Sequence, residues 1–286
     1  MAQAGGARLR RPSSEDAALA PYDEPLLWCE DGDFRREHRA EDVQAVLVAD
    51  SFLLDDGRVR GWDEHRRRFE ESCRGLGHAP AANVYERLAQ ILPAAGRWFP
   101  RVELVALSRG DRIRLHVRPA PARRAEIAVW PVTPAAALIN PRHKGPDLQF
   151  LVALRAQAQA RGAHEALMLD DRGFAIEGAL SNLMWWEDDV LCAVPDDAPI
   201  LPGVTRALLL RIAQARGQAV RLAIPRLADL RGREVWLTNS LHGVSRVSAW
   251  SDGDGSHRAA SVFGSRRAEE WHARLDAFAR PISGAR

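Results

Sequence analysis

The stretch 148–210 constrains the fold most strongly, because helix and strand patterns alternate along it. Apolar residues first recur at helical spacing up to the stop signal Gly162. Two short strand-like runs, 164–169 and 174–177, then flank the residues Asp-Asp-Arg-Gly, which favour a hairpin turn. A second helical pattern begins at 204, directly after Pro-Gly. This alternation predicts a mixed α+β fold.

One lysine, Lys144, stands among the 40 lysine and arginine residues of the chain. Arginine cannot readily be deprotonated and forms no Schiff base with an aldehyde, whereas burial can tune a lysine amine into a nucleophile. Lys144 is therefore a candidate covalent catalyst. The alternative interpretation is that an arginine-biased composition left a single lysine by chance.

The elements after Lys144 supply two further chemical groups. The predicted hairpin ends in Glu177, and the loop 198–203 opens into the second helix. An amine, a carboxylate and a helix N-terminus are the groups that pyridoxal phosphate needs. They form the covalent link, pair with the pyridine nitrogen and bind the phosphate, respectively.

The sequence resembles a known family, the fold-type IV pyridoxal-phosphate enzymes, also called class IV aminotransferases. The 33 positions from Lys144 to Glu177 suit the lysine-to-glutamate separation of that family. The resemblance covers roughly 45–247. The motifs that carry it, in the order of the family, are DGRVRGWDEHRRRF at 56–69, Lys144, EGALSN at 177–182, LPGVTR at 201–206 and TNSLHGV at 238–244.

The resemblance implies roles around the cofactor ring. Lys144 would hold pyridoxal phosphate covalently and then transfer protons as general base and acid. Glu177 would pair with the pyridine nitrogen and keep it protonated. Ser181 and Asn182 would support the surroundings of the ring. The alternative for Glu177 is an exposed hairpin carboxylate.

The resemblance also implies a phosphate site. Thr205 would bind phosphate together with the backbone amides of Val204 and Thr205 at the helix N-terminus. Ser240 would add a hydroxyl, and Asn239 beside it is a further cofactor contact. Arg68, at the arginine position of the His-x-x-Arg pattern, would reach the phosphate. The alternative for Arg68 is a solvated surface charge, since it ends a run of three arginines.

Strands and helices are also predicted upstream of Lys144. An apolar run at 44–54 predicts a strand, and the turn Asp-Asp-Gly leads back into a second strand at 58–60. Asp63 is the expected N-cap of the next helix, which places His65 and Arg68 on one face. We interpret His65 as a packing or hydrogen-bonding residue rather than a site residue. The remaining elements expected there are a helix at 82–92 and strands at 101–108 and 112–117.

The chain divides into four predicted segments. Residues 1–24 have no periodicity and are expected to form a mobile tail. A small α+β domain at 25–118 is followed by a proline-containing linker at 119–123 and a larger cofactor-binding domain at 124–286. The resemblance implies a sandwich-like α/β architecture for the first domain, a β-barrel-like core for the second, and a cofactor in the cleft between them.

Within the larger domain, strands are expected at 190–194 and 234–239. Trp185 and Trp186 end a further strand, and one of the pair should point inward to fill the core. A closing amphipathic helix at 268–278 carries Trp271.

Composition limits the classes of protein. The 46% of hydrophobic residues suffices for two cores, and the net charge of +2 arises from bases and acids spread along the chain, so no nucleic-acid partner is expected. Three widely spaced cysteines, Cys29, Cys73 and Cys192, indicate reduced thiols, with neither a disulfide framework nor a metal site. No run is long and apolar enough to span a membrane, and the start lacks a signal-peptide core, which predicts a cytoplasmic protein.

The expected activity follows from the string at 238–244. It looks more like aminodeoxychorismate lyases, which convert 4-amino-4-deoxychorismate into 4-aminobenzoate and pyruvate, than like branched-chain aminotransferases. The alternatives are a class IV aminotransferase acting on an amino acid and keto acid pair, of branched-chain or D-amino acid type, and a cofactor-free binding or scaffold protein. The expected partners are a small-molecule amino substrate and a second copy of the chain in a homodimer.

Two departures from the family pattern concern the substrate side. The glycine-rich turn expected before the first-domain strand is absent, because residues 46–50 read VLVAD. Gly-Pro-Asp follows Lys144, where the relatives often carry Asn or Tyr nearby. The identity of the substrate is therefore not predicted from the family alone.

Overall fold

A computed structural model describes residues 26–30, 33–36, 42–79, 83–134, 137–252, 257–259 and 265–282. The predicted mobile tail at 1–24 lies outside these residues. Cys29, Cys73 and Cys192 all lie within them and form no disulfide. In the described part of the chain, no helix combines the length and apolar character needed to cross a membrane.

The first half of the chain contains eight strands and two helices in its described residues. In chain order they are β1 (Leu26–Glu30), β2 (Asp33–Arg36), β3 (Val43–Ser51), β4 (Leu54–Asp55), β5 (Arg58–Arg60), α1 (Trp62–Gly75), α2 (Val84–Ile91), β6 (Arg97–Trp98), β7 (Arg101–Leu107) and β8 (Gly110–His116).

The second half contains ten strands and four helices among the described residues. They are β9 (Glu126–Val132), α3 (Leu148–Ala160), β10 (Glu165–Leu169), β11 (Ala175–Gly178), β12 (Ser181–Glu187), β13 (Val190–Ala193), α4 (Val204–Ala215), β14 (Val220–Leu222), α5 (Leu227–Leu230), β15 (Val235–Asn239), β16 (Gly243–Ser251), β17 (His257–Ala259), α6 (Ser265–Asp276) and β18 (Ala279–Pro281).

An antiparallel sheet in the order β2-β1-β8-β7-β3 forms the first layer. Helices α1 and α2 contribute Phe69, Cys73 and Leu88 to one apolar cluster with strand residues such as Val48. The predicted strand at 44–54 is two elements, because β3 ends at Ser51 and β4 belongs to another sheet with β5, β6 and β18.

Helix α1 begins one residue before Asp63, so the predicted N-cap is wrong. The N-cap is Gly61, with φ of 71°, and no side chain caps the helix. A Cβ on Gly61 would lie 2.7 Å from Val204 Cγ1, so this glycine permits a close approach to the start of α4. Asp63 lies in the first turn instead, where its negative charge interacts favourably with the helix dipole.

A closed barrel dominates the second half. The strands β11, β10, β9, β16, β15 and β12 pair in this order, and pairing of β11 with β12 closes the ring. The pairs β9–β10 and β9–β16 are parallel, whereas the other barrel pairs are antiparallel. The α+β class and the barrel-like core predicted from the family resemblance are both confirmed.

Both tryptophans of β12 are buried, rather than one as expected. Trp185 packs in a cluster with Leu167 and Leu237, while Trp186 contacts Trp236 and Trp271 edge-on. Adjacent residues of a strand point to opposite faces. Both faces of β12 are therefore covered, and the second face is covered by α4 and α6.

The chain returns to its first half at the end. Strand β18 pairs with β5, and Ile282 joins the apolar cluster of α1, α2 and β3. Residues 119–123 contain no helix or strand, although an isolated bridge joins Pro119 to Trp98. The division into domains at this linker stays a prediction, and the pairing of β18 attaches the C-terminal strand to the first predicted unit.

The packing of Ile282 generates a stability prediction. Ile282 is 7% exposed, so Ile282→Ala should lower the free energy of unfolding by about 2 kcal/mol or more, measured by urea unfolding. The matched control is Ile139→Ala at a side chain that is 60% exposed, for which a change within about 0.5 kcal/mol is expected. Equal losses in the two variants would contradict the buried position of Ile282.

Candidate active site

A cavity of about 400 Å³ brings the predicted site residues together. Its walls come from α1, the loop before α3, the β11–β12 hairpin, the start of α4 and the turn between β15 and β16. All of the residues predicted from the sequence line it, namely Arg68, Lys144, Glu177, Ser181, Asn182, Val204, Thr205, Asn239 and Ser240.

The loop that carries Lys144 is fixed by backbone contacts. The Asp147 carboxylate accepts hydrogen bonds from the backbone N–H groups of Ile139 (2.9 Å) and Asn140 (2.7 Å). The carbonyl oxygen of Lys144 accepts a hydrogen bond of 2.6 Å from the backbone N–H of Ala49 in β3. Lys144 is thereby attached to the first sheet, although 95 positions separate it from Ala49.

Gly145 makes this attachment possible. Its φ is 154°, and a Cβ at this position would overlap with the carbonyl of Leu47 and contact Val48 Cα. Any larger residue would push the loop away from β3. The glycine after Lys144 is therefore needed for the loop to pack against β3.

The amine of Lys144 is suited to act as a nucleophile. Burial, followed by the positive charge of Arg68, lowers the pKa of Lys144 to about 8, and the carboxylate of Asp50 opposes this shift. Arg101 and Arg118 add smaller effects in the same direction as Arg68. A substantial fraction of the amine is therefore neutral near pH 8, as covalent catalysis requires.

Glu177 is buried, with 4% of its surface exposed. Its carboxyl accepts hydrogen bonds from the backbone N–H of Leu201 (3.3 and 3.2 Å) and from Asn182 Nδ2 (3.1 Å). Burial raises the pKa of Glu177 well above its ordinary value, and these donors reduce the shift only in part. A cation beside the carboxyl would favour its ionised form, which makes a protonated heterocyclic nitrogen a matching partner.

Asn182 connects Glu177 to the start of α4. Besides its bond to Glu177, Asn182 Nδ2 donates to the carbonyl oxygen of Leu201 at 2.9 Å. A Cβ on Gly203 would overlap with Asn182 Oδ1. The glycine of LPGVTR is therefore required by the side chain of Asn182.

The N-terminus of α4 provides backbone donors at the cavity. Gly203 is the N-cap and no side chain caps the helix. Val204 and Thr205 are both 5% exposed and lie at the first turn. Free N–H groups and the helix dipole favour an anion there, and the Thr205 hydroxyl is a further possible donor.

Arg68 lies against a carboxylate that sequence reasoning missed. Its Nε and Nη2 donate to the two oxygens of Asp50 at 2.9 Å each, and its Nη1 donates to the carbonyl of Pro202 at 3.3 Å. His65 Nδ1 lies 2.7 Å from Asp50 Oδ1, which agrees with the interpretation of His65 as a hydrogen-bonding residue. Burial would raise the pKa of Asp50, but Arg68 and His65 hold it well below its usual range. The sequence signal that could have identified Asp50 is an acidic residue at the end of an apolar, strand-like run.

The turn between β15 and β16 is held from the first half of the chain. Ser240 Oγ donates to the carbonyl of Ser51 at 2.7 Å, and Arg60 Nη2 donates to the carbonyl of Ser240 at 2.9 Å. Arg60 also pairs with Asp276 of α6. Nothing in the sequence distinguishes Arg60 from the other arginines of the chain.

Asn239 and Ser181 make local contacts at the same cavity. Asn239 Oδ1 accepts a hydrogen bond from the backbone N–H of His242 at 2.8 Å, which shapes the turn. Ser181 Oγ donates to Glu165 Oε2 at 3.4 Å, and burial raises the pKa of Glu165 to about 7. Both residues therefore support the cavity wall.

Basic residues that were not predicted form another part of the wall: Arg101, Arg118, His143 and Arg155. Arg118 Nε donates to the carbonyl of Phe99 at 3.2 Å, and its guanidinium lies 5.0 Å from the Phe99 ring centroid. Arg101 Nε lies 2.7 Å from Glu103 Oε1. Nothing in the sequence distinguishes these arginines from the others. Glu103 offsets part of the charge of Arg101, and the positive charges of Arg118 and Arg155 favour an anionic ligand.

Comparisons with known proteins agree with this architecture. The family model of amino-transferase class IV matches residues 47–250. A hypothetical aminotransferase from Mycobacterium tuberculosis in its PLP-bound form has a TM-score of 0.74 at 21% identity, over 89% of this chain and 98% of that chain. This structural similarity concerns the fold.

Two curated relatives match shorter stretches. An aminodeoxychorismate lyase from Vibrio harveyi is 32% identical over 110 residues, which are 38% of this chain and 41% of the relative. A putative branched-chain-amino-acid aminotransferase from Methanocaldococcus jannaschii is 34% identical over 80 residues, which are 28% of each chain. The match thus spans less than half the length of each of these relatives.

The family match covers well over half of the 286 residues, and the fold agrees with it. The chain therefore belongs to the class IV aminotransferase family, which consists of pyridoxal-phosphate-dependent enzymes of fold type IV. The predicted family resemblance is confirmed.

The contact of Gly145 with β3 generates a prediction. Gly145→Ala should lower the free energy of unfolding by roughly 1–3 kcal/mol, because the added methyl group overpacks the loop against β3. It should also reduce the covalent incorporation of pyridoxal phosphate, measured by mass spectrometry after borohydride reduction.

Gly110→Ala is the matched control. Gly110 also has a positive φ, of 112°, but no atom lies within 4 Å of its added Cβ. Similar effects in both variants would mean that backbone strain, and not the contact with β3, explains the loss.

Proposed function

We propose that this chain is a pyridoxal-phosphate-dependent lyase that converts 4-amino-4-deoxychorismate into 4-aminobenzoate and pyruvate. The observation that carries the proposal is the basic wall of the cavity, formed by Arg101, Arg118 and Arg155 in addition to the predicted phosphate site. Aminodeoxychorismate bears two carboxylates, which match several cations. A branched-chain amino acid would place an apolar side chain in the same space.

The similarity to a lyase over 110 residues and the TNSLHGV string support the same conclusion. Ser240, Leu241 and His242 of this string line the cavity, so the part of the sequence that favours a lyase lies where a substrate would bind.

The residues around the cavity fit the cofactor. Thr205 and the first N–H groups of α4 would bind the phosphate, with Arg68 and Ser240 beside them. Glu177 would face the pyridine nitrogen, and Asn182 would hold the Glu177 carboxyl in place. When bound, pyridoxal phosphate supplies an aldehyde that links to an amine and a ring that withdraws electrons from the substrate carbon.

Lys144 would transfer the protons. Its neutral amine would take the proton from the carbon that bears the substrate amine, and its pKa of about 8 suits this role near neutral pH. Loss of that proton and cleavage of the C–O bond to the enolpyruvyl group would make the ring aromatic. The departing enolate would take up a proton, so that the products are 4-aminobenzoate and pyruvate. The basic wall would orient the carboxylates during this step.

A class IV aminotransferase is the second candidate, and the similarity to a putative branched-chain-amino-acid aminotransferase over 80 residues favours it. An amino acid with a second carboxylate on its side chain would also suit the basic wall. In that reaction Lys144 would return the proton to the cofactor side, so that the amino group stays with the cofactor until a keto acid removes it.

The two reactions differ when one amino substrate is supplied without a keto acid. We expect aminodeoxychorismate to be consumed over many turnovers with stoichiometric release of pyruvate, measured with a coupled dehydrogenase. Lys144→Arg retains the charge but cannot form the covalent link, so its rate should fall to background. Turnover that stops after one equivalent and resumes on addition of a keto acid would establish the aminotransferase instead, and a Lys144→Arg variant with near-normal turnover would refute the covalent role.

We also propose that the chain forms a homodimer, because family members commonly assemble in this way and two-fold dimers are the commonest soluble assembly. Sedimentation equilibrium at micromolar concentration should give twice the chain mass of 31.7 kDa. A single species at the monomer mass would refute the proposal. The cytoplasmic location and the absence of a nucleic-acid partner stay predictions.

A further inference from the structure

Asp50, at the end of β3, is completely buried and has two partners. Its carboxylate accepts two hydrogen bonds of 2.9 Å from Arg68 and lies 2.7 Å from His65 Nδ1. Tyr85 supports this arrangement, because its hydroxyl donates to the carbonyl of His65 at 3.3 Å. The bidentate contact between Arg68 and Asp50 fixes both the position and the plane of the guanidinium.

The residues on either side of Asp50 contact other parts of the site. The backbone N–H of Ala49 donates to the carbonyl of Lys144, and the carbonyl of Ser51 accepts the hydroxyl of Ser240. Three consecutive residues of one strand thus contact three elements that are far apart in the sequence.

We propose that Asp50 is a positioning residue of the cofactor site, which holds Arg68 in the orientation that serves the phosphate. The inference rests on the proposed binding of pyridoxal phosphate. Asp50 is not among the residues that line the cavity, so it acts through Arg68 rather than by contact with a ligand.

The direction of Arg68 supports this role. With Nε and Nη2 engaged by Asp50, the remaining Nη1 donates to the carbonyl of Pro202, in the loop that opens into α4. The guanidinium is therefore held beside the helix N-terminus that is proposed to bind phosphate. Without Asp50, the Arg68 side chain would regain its rotamer freedom.

The test compares two ligands that differ only in the phosphate. Equilibrium binding of pyridoxal phosphate and of pyridoxal is measured with the full-length protein by quenching of tryptophan fluorescence. Asp50→Asn should weaken binding of pyridoxal phosphate about tenfold or more, a typical effect of losing the partner of a ligand-binding side chain, and should change binding of pyridoxal much less. Asp170→Asn is the matched control, because Asp170 shapes the β10–β11 turn through bonds to the N–H groups of Arg172 and Phe174.

A double-mutant cycle identifies the route of the effect. The quantity compared is the ratio of the affinity for pyridoxal phosphate to the affinity for pyridoxal. If Asp50 acts through Arg68, this ratio should be the same in the double variant Asp50→Asn, Arg68→Met as in Arg68→Met alone. The double variant also removes the buried unpaired charge, so it provides the measurement if Asp50→Asn does not fold. A further change in the ratio would overturn the inference.

The remaining outcomes are also decisive. Equal losses for the two ligands in Asp50→Asn would show a general structural role and would overturn the inference, as would no loss at all. A wild-type protein that does not prefer pyridoxal phosphate over pyridoxal would instead refute the proposed phosphate site.

Discussion

The pairing of β11 with β12 closes the barrel and also builds part of the site, because it sets Glu177 opposite Asn182. At the turn end of the same ladder, Gly178 pairs with Ser181, and a Cβ on Gly178 would overlap with the Ser181 hydroxyl. A shift of register by one residue would turn every side chain to the opposite face of the sheet. The same backbone contacts that complete the barrel therefore determine which carboxyl faces the cavity and which amide holds it.

Two buried carboxyl groups near the cavity have opposite properties, because their partners differ. Asp50 contacts a guanidinium and an imidazole, which keep its pKa low despite burial. Burial raises the pKa of Glu177, because its hydrogen-bond donors are neutral and offset the effect only in part. Asp50 consequently carries a fixed negative charge that can hold Arg68. Glu177 is ionised at little cost only when a cation lies beside it. The charge of Asp50 is thus balanced by residues of the protein itself, whereas Glu177 favours a positively charged ligand group beside it.

The sequence predicted elements that depend on neighbouring residues. The hairpin of β10 and β11 and the helices α3 and α4 follow from local spacing and turn chemistry. Lys144 and Glu177 were also indicated by their residue types, whereas the other predicted site residues came from the resemblance to the family. Features that depend on distant contacts were missed. The pairing of β18 with β5 joins segments more than 200 positions apart, and Gly61 at the N-cap of α1 lies against Val204 of α4. Arg101 resembles every other arginine until the fold places it at the cavity.

The two departures from the family pattern are in contact with each other. Residues 46–50 lack the expected glycine-rich turn and continue as β3, and Gly145 follows Lys144. In the structure, the position that a Cβ on Gly145 would occupy is filled by the backbone of Leu47 and Val48. The pairing of β3 with β7 shifts register between Val46 and Val48, so β3 is irregular at Leu47. This part of β3 can approach the lysine loop closely because the loop has a glycine at that point, and the close approach lets Ala49 bond the carbonyl of Lys144. Each departure therefore accommodates the other, and together they determine how the first sheet supports the loop that carries Lys144.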